Sequence, residues 1–432
     1  MPSRRSLLAG GASAALTAPL LPSAAPAAAA GPGRSRRHGV VPGADAEAAR
    51  GWSVLRGRRV GVISNPTGVL RDTTHIVDSL AAHGSLEIAG IFGPEHGFRG
   101  SAQAGSSEPE STDPRTGLTV YDAYGAGAAQ LAALFTKAGA DTIVFDIQDV
   151  GVRFYTYIWT MYAAMAAARS TGARFVVLDR PNPIGRRADG PLMTPEFTSG
   201  VGAGVIVQQH GMTVGELAGY FNGELLPKEG QGGAVELEVV RLRGWDPYST
   251  GTHRGEHGLP WVPPSPNMPT PDTAAVYAGT GYFEGTNLSE GRGTTRPFEF
   301  IGAPYLDHRY GDRLNARKLP GVRFREAWFT PTSGKHTGVL CAGVQLHVTD
   351  PRRYEPIPTA VAMLVEARRH DGFAWRQDSW DAGRPFWIDK LSGSPRLREM
   401  IDAGEDARDV VAAWREEVRV FERTRRAYLL YG

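Results

Sequence analysis

Four short, largely apolar runs, each ending directly in a cluster of polar residues, constrain the fold of this chain more than any other sequence feature. They cover residues 59–63, 86–92, 142–145 and 174–178. Runs of this kind are typical of β-strands that are covered on both faces. Residues 72–83 and 127–138 have the spacing of amphipathic helices, whereas 155–170 is apolar nearly all round and predicts a buried helix. Alternating strands and helices predict an α/β fold with a Rossmann-like, doubly wound, mostly parallel sheet.

The pattern changes after a proline-rich segment. Six prolines lie between Pro260 and Pro271, a density that neither a helix nor a central strand tolerates. Beyond it we predict a strand over 338–348, a helix over 358–369 and one terminal helix whose apolar face runs from Ala407 to Phe421. The predicted domains are therefore a Rossmann-like catalytic domain at 49–262, a linker at 263–271 and a smaller α+β domain at 272–432.

The first thirty residues have the pattern of an export signal. Arg4 and Arg5 precede Leu7 and Leu8, and a short apolar run and an alanine-rich stretch follow. This is the order of a cleaved signal peptide, and the paired arginines resemble a twin-arginine signal. No other segment approaches the ~18 apolar residues of a membrane span, so we expect no stable membrane insertion after signal removal. Residues 31–48 are predicted to form a flexible spacer.

Charge and cysteine content exclude two classes of protein. The 432 residues contain 47 Lys and Arg against 45 Asp and Glu, and Arg4 and Arg5 account for the difference. A formally neutral mature chain gives no reason to expect a nucleic-acid partner. The single cysteine, Cys341, excludes an intramolecular disulfide, and its apolar neighbours predict a buried structural thiol.

Polar residues follow each predicted strand of the first domain. Because the carboxyl ends of parallel strands meet at one edge of a sheet, where ligands bind, these residues predict a common site. The candidates are Asn65, Glu95, His96, Asp146, Gln148, Asp149, Arg153 and Asp179.

Glu95 is the leading candidate for chemistry. It lies between Gly93-Pro94 and Gly97, where the flanking residues favour an unusual turn. Such a carboxyl group can act as a general acid, or it can simply solvate the turn. His96 can contact a ligand or stabilise the same turn. A metal site is not favoured, because no second histidine stands nearby at helical spacing.

The polar residues after the third strand have two interpretations each. Asp146 and Asp149 can supply a second carboxylate or accept a substrate hydroxyl, while Asp149 can instead cap the next helix. Arg153 can clamp an anionic group through its planar guanidinium. Tyr155 can stack on a sugar or pack in the core.

A polar, glycine-rich segment beyond the prolines forms a further cluster, over residues 284–295. It contains Glu284, Asn287, Glu290 and Arg292, which we expect to reach across an interdomain cleft. The segment lacks the ending of a phosphate-binding loop, and no Gly-x-Gly-x-x-Gly follows the first strand, so a nucleotide cofactor is not predicted. No Gly-x-Ser-x-Gly elbow suggests a serine nucleophile.

Six motifs in order resemble one known family, the exo-β-N-acetylmuramidases of the NamZ type. They are Ser64-Asn65-Pro66-Thr67-Gly68, Gly93-Pro94-Glu95-His96-Gly97-Phe98-Arg99-Gly100, the stretch from Asp146 to Tyr157, Asp179-Arg180-Pro181-Asn182-Pro183, Pro264-Ser265-Pro266-Asn267-Met268-Pro269 and the stretch from Glu284 to Thr295. The resemblance implies a glycoside hydrolase that releases N-acetylmuramic acid from the non-reducing end of peptidoglycan fragments. From the residues themselves, no cofactor and no metal are expected.

The resemblance also implies roles for particular residues. Glu95 takes the place of the family's catalytic glutamate, and the partner carboxylate is Glu290, Asp149 or Glu284, ranked in that order. Glycosidases commonly use two carboxyl groups, although the 2-acetamido group of the substrate can also serve as the nucleophile. Arg153 or Arg292 is expected to hold the lactyl carboxylate.

Asn182 joins the expected substrate-binding residues through its motif. The export signal agrees with a role in cell-wall turnover, because peptidoglycan lies outside the membrane. Two other functions stay open from the sequence. One is a non-catalytic cell-wall protein that binds sugars. The other is a different exported hydrolase, either an esterase or a metal-dependent phosphatase.

Overall fold

A seven-stranded sheet organises the first half of the computed structural model, which describes residues 39–100, 108–228, 233–248 and 258–432. The strands of this half are β1 (Arg59–Ser64), β2 (Glu87–Gly93), β3 (Ser111–Thr112), β4 (Thr119–Asp122), β5 (Thr142–Asp146), β6 (Arg174–Leu178), β7 (Asp189–Leu192), β8 (Val207–Gln209) and β9 (Leu237–Val240). The sheet order is β3-β4-β2-β1-β5-β6-β9, and only the edge strand β3 pairs antiparallel. Strands β7 and β8 form a separate antiparallel pair.

Helices cover both faces of this sheet. They are α1 (Gly43–Ala48), α2 (Ile76–Ala81), α3 (Ala128–Ala138), α4 (Tyr157–Thr171) and α5 (Val214–Tyr220). Successive residues of a strand point to opposite faces of the sheet. In β5, Phe145 packs with α3 and α4 on one face, whereas Val144 packs with α1 and α2 on the other. Both faces are therefore buried, which explains the apolar runs and confirms the doubly wound, Rossmann-like prediction.

The second half is smaller and mixes helices with an antiparallel sheet. Its elements are α6 (Pro271–Thr280), β10 (Phe300–Ala303), α7 (His308–Ala316), β11 (Val322–Phe329), β12 (Cys341–Val348), α8 (Pro356–Ala367), α9 (Trp387–Ser392), α10 (Arg396–Asp402), α11 (Ala407–Ala412) and α12 (Arg415–Arg425). The strands pair in the order β10-β12-β11. This is the predicted α+β region, and one buried cluster runs from Ile63 in β1 to Phe421 in α12. The exact domain boundaries stay a prediction.

The sequence predicted a signal peptide and a spacer in the amino-terminal region. The predicted signal peptide lies outside the described residues. The spacer predicted at 31–48 is wrong where the structure describes it, because residues 43–48 form α1. The backbone N–H of Gly43 donates to the carbonyl of Asp179 at 2.8 Å, so this segment is part of the folded protein.

Two predicted helices are shorter or divided. Helix α2 begins at Ile76 rather than near residue 72, because the Asp72 carboxylate accepts the N–H of Thr74 at 2.9 Å and forms a turn there. The single terminal helix is wrong: α11 ends at Ala412, and α12 begins at Arg415. Trp414 lies at the break with 1% of its surface exposed, so the apolar face that we predicted is buried in two pieces.

The order of the large sheet determines where a ligand can bind. Strands β2 and β4 lie on one side of β1, and β5 and β6 lie on the other, so the winding reverses between β1 and β5. Loops diverge from such a switch point and leave a crevice at the carboxyl ends of the strands. In the described part of the chain, no helix is both long and apolar enough to span a bilayer.

Candidate active site

A cavity of about 480 Å³ lies beside the carboxyl ends of β2 and β5, between the two halves of the chain. The first half contributes Glu95, His96, Phe154, Tyr155, Thr156, Tyr157 and Val201. The proline-rich segment contributes Ser265, Asn267 and Met268, and the second half contributes Tyr277, Glu284, Arg292, Phe298, Arg376 and Trp387. The cavity is therefore assembled from parts that are far apart in the sequence.

Glu95 enters this cavity from a tight turn after β2. The next two residues, His96 and Gly97, both have positive φ, at 70° and 77°. The positive φ of Gly97 favours glycine at this position, and a Cβ atom there would lie 2.2 Å from the Glu108 carboxylate, which would have to move. The side chain of Glu95 is half-buried, and its Oε2 accepts a hydrogen bond from the hydroxyl of Thr156 at 2.8 Å. The turn and this bond orient the carboxyl group towards the cavity.

Three tyrosines form one wall beside Glu95. The Tyr157 hydroxyl donates to the carbonyl of Pro264 at 2.7 Å and so ties the start of α4 to the proline-rich segment. The ring of Tyr155 lies 5.3 Å from Tyr157 and 5.9 Å from Tyr277. Burial raises the pKa of all three hydroxyl groups, which therefore stay protonated. The charges of Glu284 and Glu95 both raise the pKa of Tyr277 further, as expected if it lies near both carboxyl groups.

Glu284 is the second carboxyl group in the cavity lining. Arg292 donates to its Oε1 at 3.0 Å and, through Nε, to Glu290 at 3.1 Å. Burial raises the pKa of Glu284 and outweighs the opposing effect of the Arg292 charge. Burial thus favours the protonated form of Glu284, whereas the adjacent Arg292 guanidinium favours the ionised form.

The other two predicted partner carboxylates do not line the cavity. Glu290 has a side chain 6% exposed between Arg292 and Lys335, whose Nζ lies 2.9 Å from it. Asp149 accepts the N–H of Gly151 at 2.7 Å and lies 3.1 Å from the imidazole of His210. Both carboxylates therefore stabilise loops beside the site, a geometry that favours Glu284 over the two residues ranked above it.

Arg153 also differs from its prediction. It is fully buried, and its guanidinium donates to the carbonyls of Pro191, Ile206 and Leu391 at 2.9, 2.6 and 2.8 Å. Burial lowers its pKa to about 10, which leaves it charged at neutral pH. This geometry contradicts the expected anion clamp, because all three contacts are structural and the residue is outside the cavity lining.

Several other predicted polar residues stabilise the loops at the sheet edge. Asp146 forms a buried, two-bond ion pair with Arg180. Asn65 accepts the hydroxyl of Thr67 at 2.6 Å. The amide of Gln148 donates to the carbonyls of Asp149 and Pro181 at 2.7 and 2.9 Å. None of these three belongs to the cavity lining, although they gather at the expected edge.

The remaining predicted residues likewise hold the structure together. Asp179 is completely buried and accepts the Thr213 hydroxyl at 2.8 Å. Asn182 donates to the carbonyl of Met212 at 2.9 Å. The Asn287 amide donates to the carbonyl of Gly372 at 2.7 Å. Of the whole predicted set, the structure brings five residues together in the cavity: Glu95, His96, Tyr155, Glu284 and Arg292.

Other lining residues were missed by sequence reasoning. Thr156 directly follows Tyr155, which the sequence did single out, so its position was a usable signal. Ser265 and Asn267 lie in the segment interpreted as a linker. Arg376 and Trp387 follow no strand end and carry no motif, so nothing in the sequence pointed to them. Among the described residues, no group of three or more His, Cys, Asp or Glu side chains is arranged to hold a metal ion.

Comparison with known proteins identifies one family whose models match both halves of the chain. Residues 60–272 match the family model described as exo-β-N-acetylmuramidase NamZ, N-terminal, and residues 275–431 match its C-terminal counterpart. A relative from Bacillus subtilis (strain 168), peptidoglycan β-N-acetylmuramidase NamZ, is 42% identical over 379 residues, which are 87% of this chain and 88% of that protein.

Two solved structures have the same fold, both of DUF1343 family proteins from Bacteroides fragilis NCTC 9343. One superposes with a TM-score of 0.79 at 31% identity, and the other with 0.71 at 30%. Each comparison covers 91% of this chain and 99% of the other. The two family models together include every segment that lines the cavity.

Proposed function

This chain belongs to the NamZ family of exo-β-N-acetylmuramidases and is a glycosidase, and we propose that it releases N-acetylmuramic acid from the non-reducing end of peptidoglycan fragments. The observation that carries the proposal is one cavity lined by two carboxyl groups, Glu95 and Glu284, together with tyrosines and arginines. Hydrolysis of a glycosidic bond commonly uses two carboxyl groups that flank the bond.

In the proposed reaction Glu95 is the general acid. It gives its proton to the glycosidic oxygen while the bond from that oxygen to the anomeric carbon of the terminal sugar breaks. A water molecule supplies the new hydroxyl at the anomeric carbon, and the proton that it loses restores Glu95. The hydrogen bond from Thr156 supports this role, because a fixed carboxyl group needs little reorganisation before it transfers a proton.

Glu284 is the proposed second carboxyl group. When ionised, it stabilises the positive charge that develops at the anomeric carbon in the transition state. Its ion pair with Arg292 holds it in place. This assignment replaces the order expected from the sequence, since Glu290 and Asp149 are engaged elsewhere.

Arg376 is the proposed partner of the lactyl carboxylate of muramic acid. Its side chain is 42% exposed, lies on the cavity lining and has its guanidinium carbon 4.8 Å from the ring centre of Trp387. It pairs with one carboxylate, that of Asp378, at 3.0 Å. Arg292 is less suited, because it already pairs with Glu284 and Glu290, and a third carboxylate there would be repelled. Arg153 is excluded by its three carbonyl contacts.

We also propose that the protein is exported by its twin-arginine-type leader and acts in cell-wall turnover. The pattern of residues 1–30 supports export, and the proposed substrate lies outside the membrane. A function in turnover suits an enzyme that removes one terminal sugar at a time from fragments, because such an enzyme leaves intact strands uncut internally.

The decisive experiment offers a chromogenic aryl muramide and a muramic-acid-terminated disaccharide to the purified protein. We expect release of N-acetylmuramic acid from both, and at least about a hundredfold loss of kcat in Glu95→Gln, as general acids contribute on this scale. Glu87→Gln is the matched control, since Glu87 is exposed at the amino end of β2, the strand that precedes Glu95. A folded wild type that releases no muramic acid would overturn the proposed function, and near-normal turnover by Glu95→Gln would remove Glu95 from the acid role.

A further inference from the structure

An exposed tryptophan, Trp380, lies beside Trp387, an aromatic residue of the cavity lining. Trp387 lines the cavity, and the ring centre of Trp380 lies 6.4 Å from that of Trp387 at an angle of 68°. Trp380 is 67% exposed, an unfavourable position for the largest apolar side chain. Exposed aromatic surface next to a binding cavity commonly marks a contact for a ligand.

The ring of Trp380 is nevertheless held in place. The ammonium group of Lys390, whose side chain is fully buried, lies 3.9 Å from the centre of the Trp380 ring. Lys390 also pairs with Asp381 at 3.2 Å. A cation over the face of an indole ring attracts it, more strongly where water is excluded. One face of the ring therefore covers the lysine, and solvent reaches the rest of the ring.

The loop that carries Trp380 is also anchored at its base and on its far side. Gln377 and Phe386 pair as an antiparallel bridge at its base. Beyond Trp380, the guanidinium of Arg384 donates to the carbonyls of Glu196 and Thr198 at 2.8 and 2.9 Å. A fixed aromatic surface loses little conformational entropy when it binds a ligand.

We infer that Trp380 is a stacking surface for the sugar chain that leaves the active site, an inference that rests on the proposed function. An exo-acting enzyme places the terminal sugar in its cavity, so the remaining chain must emerge at the rim. The C–H groups on one face of a pyranose ring form an apolar surface that packs against an indole. Trp380 lies next to Trp387 on the solvent-exposed side. It therefore contacts a sugar of the oligosaccharide that follows the terminal sugar bound in the cavity. The site takes a neutral pyranose of the leaving oligosaccharide.

The kinetic test compares two substrates in the same variants. For Trp380→Ala we expect kcat/KM for a muramic-acid-terminated tetrasaccharide to fall about tenfold relative to kcat/KM for the aryl muramide, mainly through KM. Trp380→Phe should recover most of this ratio. Trp328→Ala is the matched control, because Trp328 is 59% exposed on β11 and lies outside the cavity lining. An equal loss on both substrates would overturn the inference, since it would mean that Trp380 only supports the cavity wall.

A binding measurement separates this inference from the proposed function. Titration calorimetry of the tetrasaccharide into Glu95→Gln and into Glu95→Gln/Trp380→Ala requires no turnover. We expect about tenfold weaker binding in the double variant and equal binding of free N-acetylmuramic acid. Equal affinity for the tetrasaccharide would overturn the inference whatever the activity assay shows. If tetrasaccharide binding depends on Trp380 but the wild type does not hydrolyse the substrate, the inference about Trp380 is supported and the proposed enzyme activity is overturned.

Discussion

Thr156 shows how a single hydroxyl can be directed to the active site rather than to its helix. It occupies the position immediately before α4, where threonine commonly caps the first turn, but its side chain makes no capping hydrogen bond. The hydroxyl donates to Glu95 Oε2 instead, at 2.8 Å. We therefore regard Thr156 as a positioning residue for Glu95.

This geometry predicts a selective loss of kcat. Thr156→Ala should lower kcat for the aryl muramide about tenfold, because this hydrogen bond stabilises the negative charge that develops on Glu95 as it gives up its proton. Hydrogen bonds to charged groups contribute roughly 1.5 kcal/mol or more. KM should change little, and Thr156→Ser should restore most of the rate. Steady-state kinetics and thermal unfolding of the three proteins check this. A fall in rate explained by unfolding, or no rescue by serine, would contradict the positioning role.

The sequence predicted the position of a site residue correctly where the course of the backbone alone determines that position. Glu95 follows a strand and lies between residues that require a turn, so its place at the sheet edge was predictable. Arg153 lies near another strand end, yet its side chain is directed inwards to three carbonyls. A sequence pattern locates the Cα of such a residue but not the direction of its side chain. Arg376 was missed because its neighbours in space are distant in the chain.

At the scale of elements, Asp179 joins the end of β6 to the start of α5. Its carboxylate accepts the N–H of Gly215 at 2.8 Å and the hydroxyls of Thr213 and Tyr431. Glycine at 215 allows this approach, since a Cβ there would lie 2.7 Å from the Asp179 carboxyl carbon. Complete burial nevertheless raises the pKa of Asp179 to about 7.

This shift gives Asp179 a defined effect on stability. The folded pKa exceeds the usual value of about 3.9, so between about pH 4 and 7 the folded protein binds more protons than the unfolded chain. The contribution of Asp179 to stability is fully present below about pH 4 and falls as pH rises, by up to about 1.4 kcal/mol per pH unit. In Asp179→Asn, the neighbouring hydroxyls can rotate to accept from the amide. We expect the unfolding free energy of this variant to depend less on pH between 5 and 7.

Urea denaturation at several pH values provides the measurement. The relevant quantity is the difference in slope between the wild type and Asp179→Asn, because other groups contribute equally to both. Asp72→Asn, at an exposed position, should leave the slope of the wild type unchanged. Identical slopes for the wild type and Asp179→Asn would show that this carboxyl group is ionised throughout the range.

The elements themselves were predictable where their own residues determine them. Helix α3 has the spacing of an amphipathic helix, the residues of α4 are apolar nearly all round, and α5 begins with the capping box formed by Thr213 and Glu216. Helix α1 was missed because its stability comes from distant contacts, such as that between Gly43 and Asp179. The break at Trp414 was missed because the apolar spacing continues across it. Local patterns specify an element, whereas tertiary contacts decide where it ends.

At the scale of the whole molecule, Arg153 connects parts of the chain that are far apart. Its guanidinium reaches the carbonyls of Pro191 and Ile206 in the first half and of Leu391 in α9. Trp387, at the start of α9, lines the cavity. The buried arginine therefore helps to hold together the two halves between which the cavity forms.

Replacing this arginine should affect stability rather than substrate recognition. Arg153→Lys retains the charge but cannot reach all three carbonyls, so one or two would lose their partner, at a cost of about 2–4 kcal/mol in unfolding free energy. Because Arg153 is outside the cavity lining, KM for the aryl muramide measured well below the unfolding temperature should stay near the wild-type value.

Arg376→Lys should show the opposite result, a raised KM with little change in stability. Its side chain is exposed, and the proposed lactyl carboxylate needs a planar guanidinium. Chemical denaturation together with steady-state kinetics distinguishes the two variants, and a large KM increase in a stable Arg153→Lys protein would restore the anion-binding role that the sequence suggested.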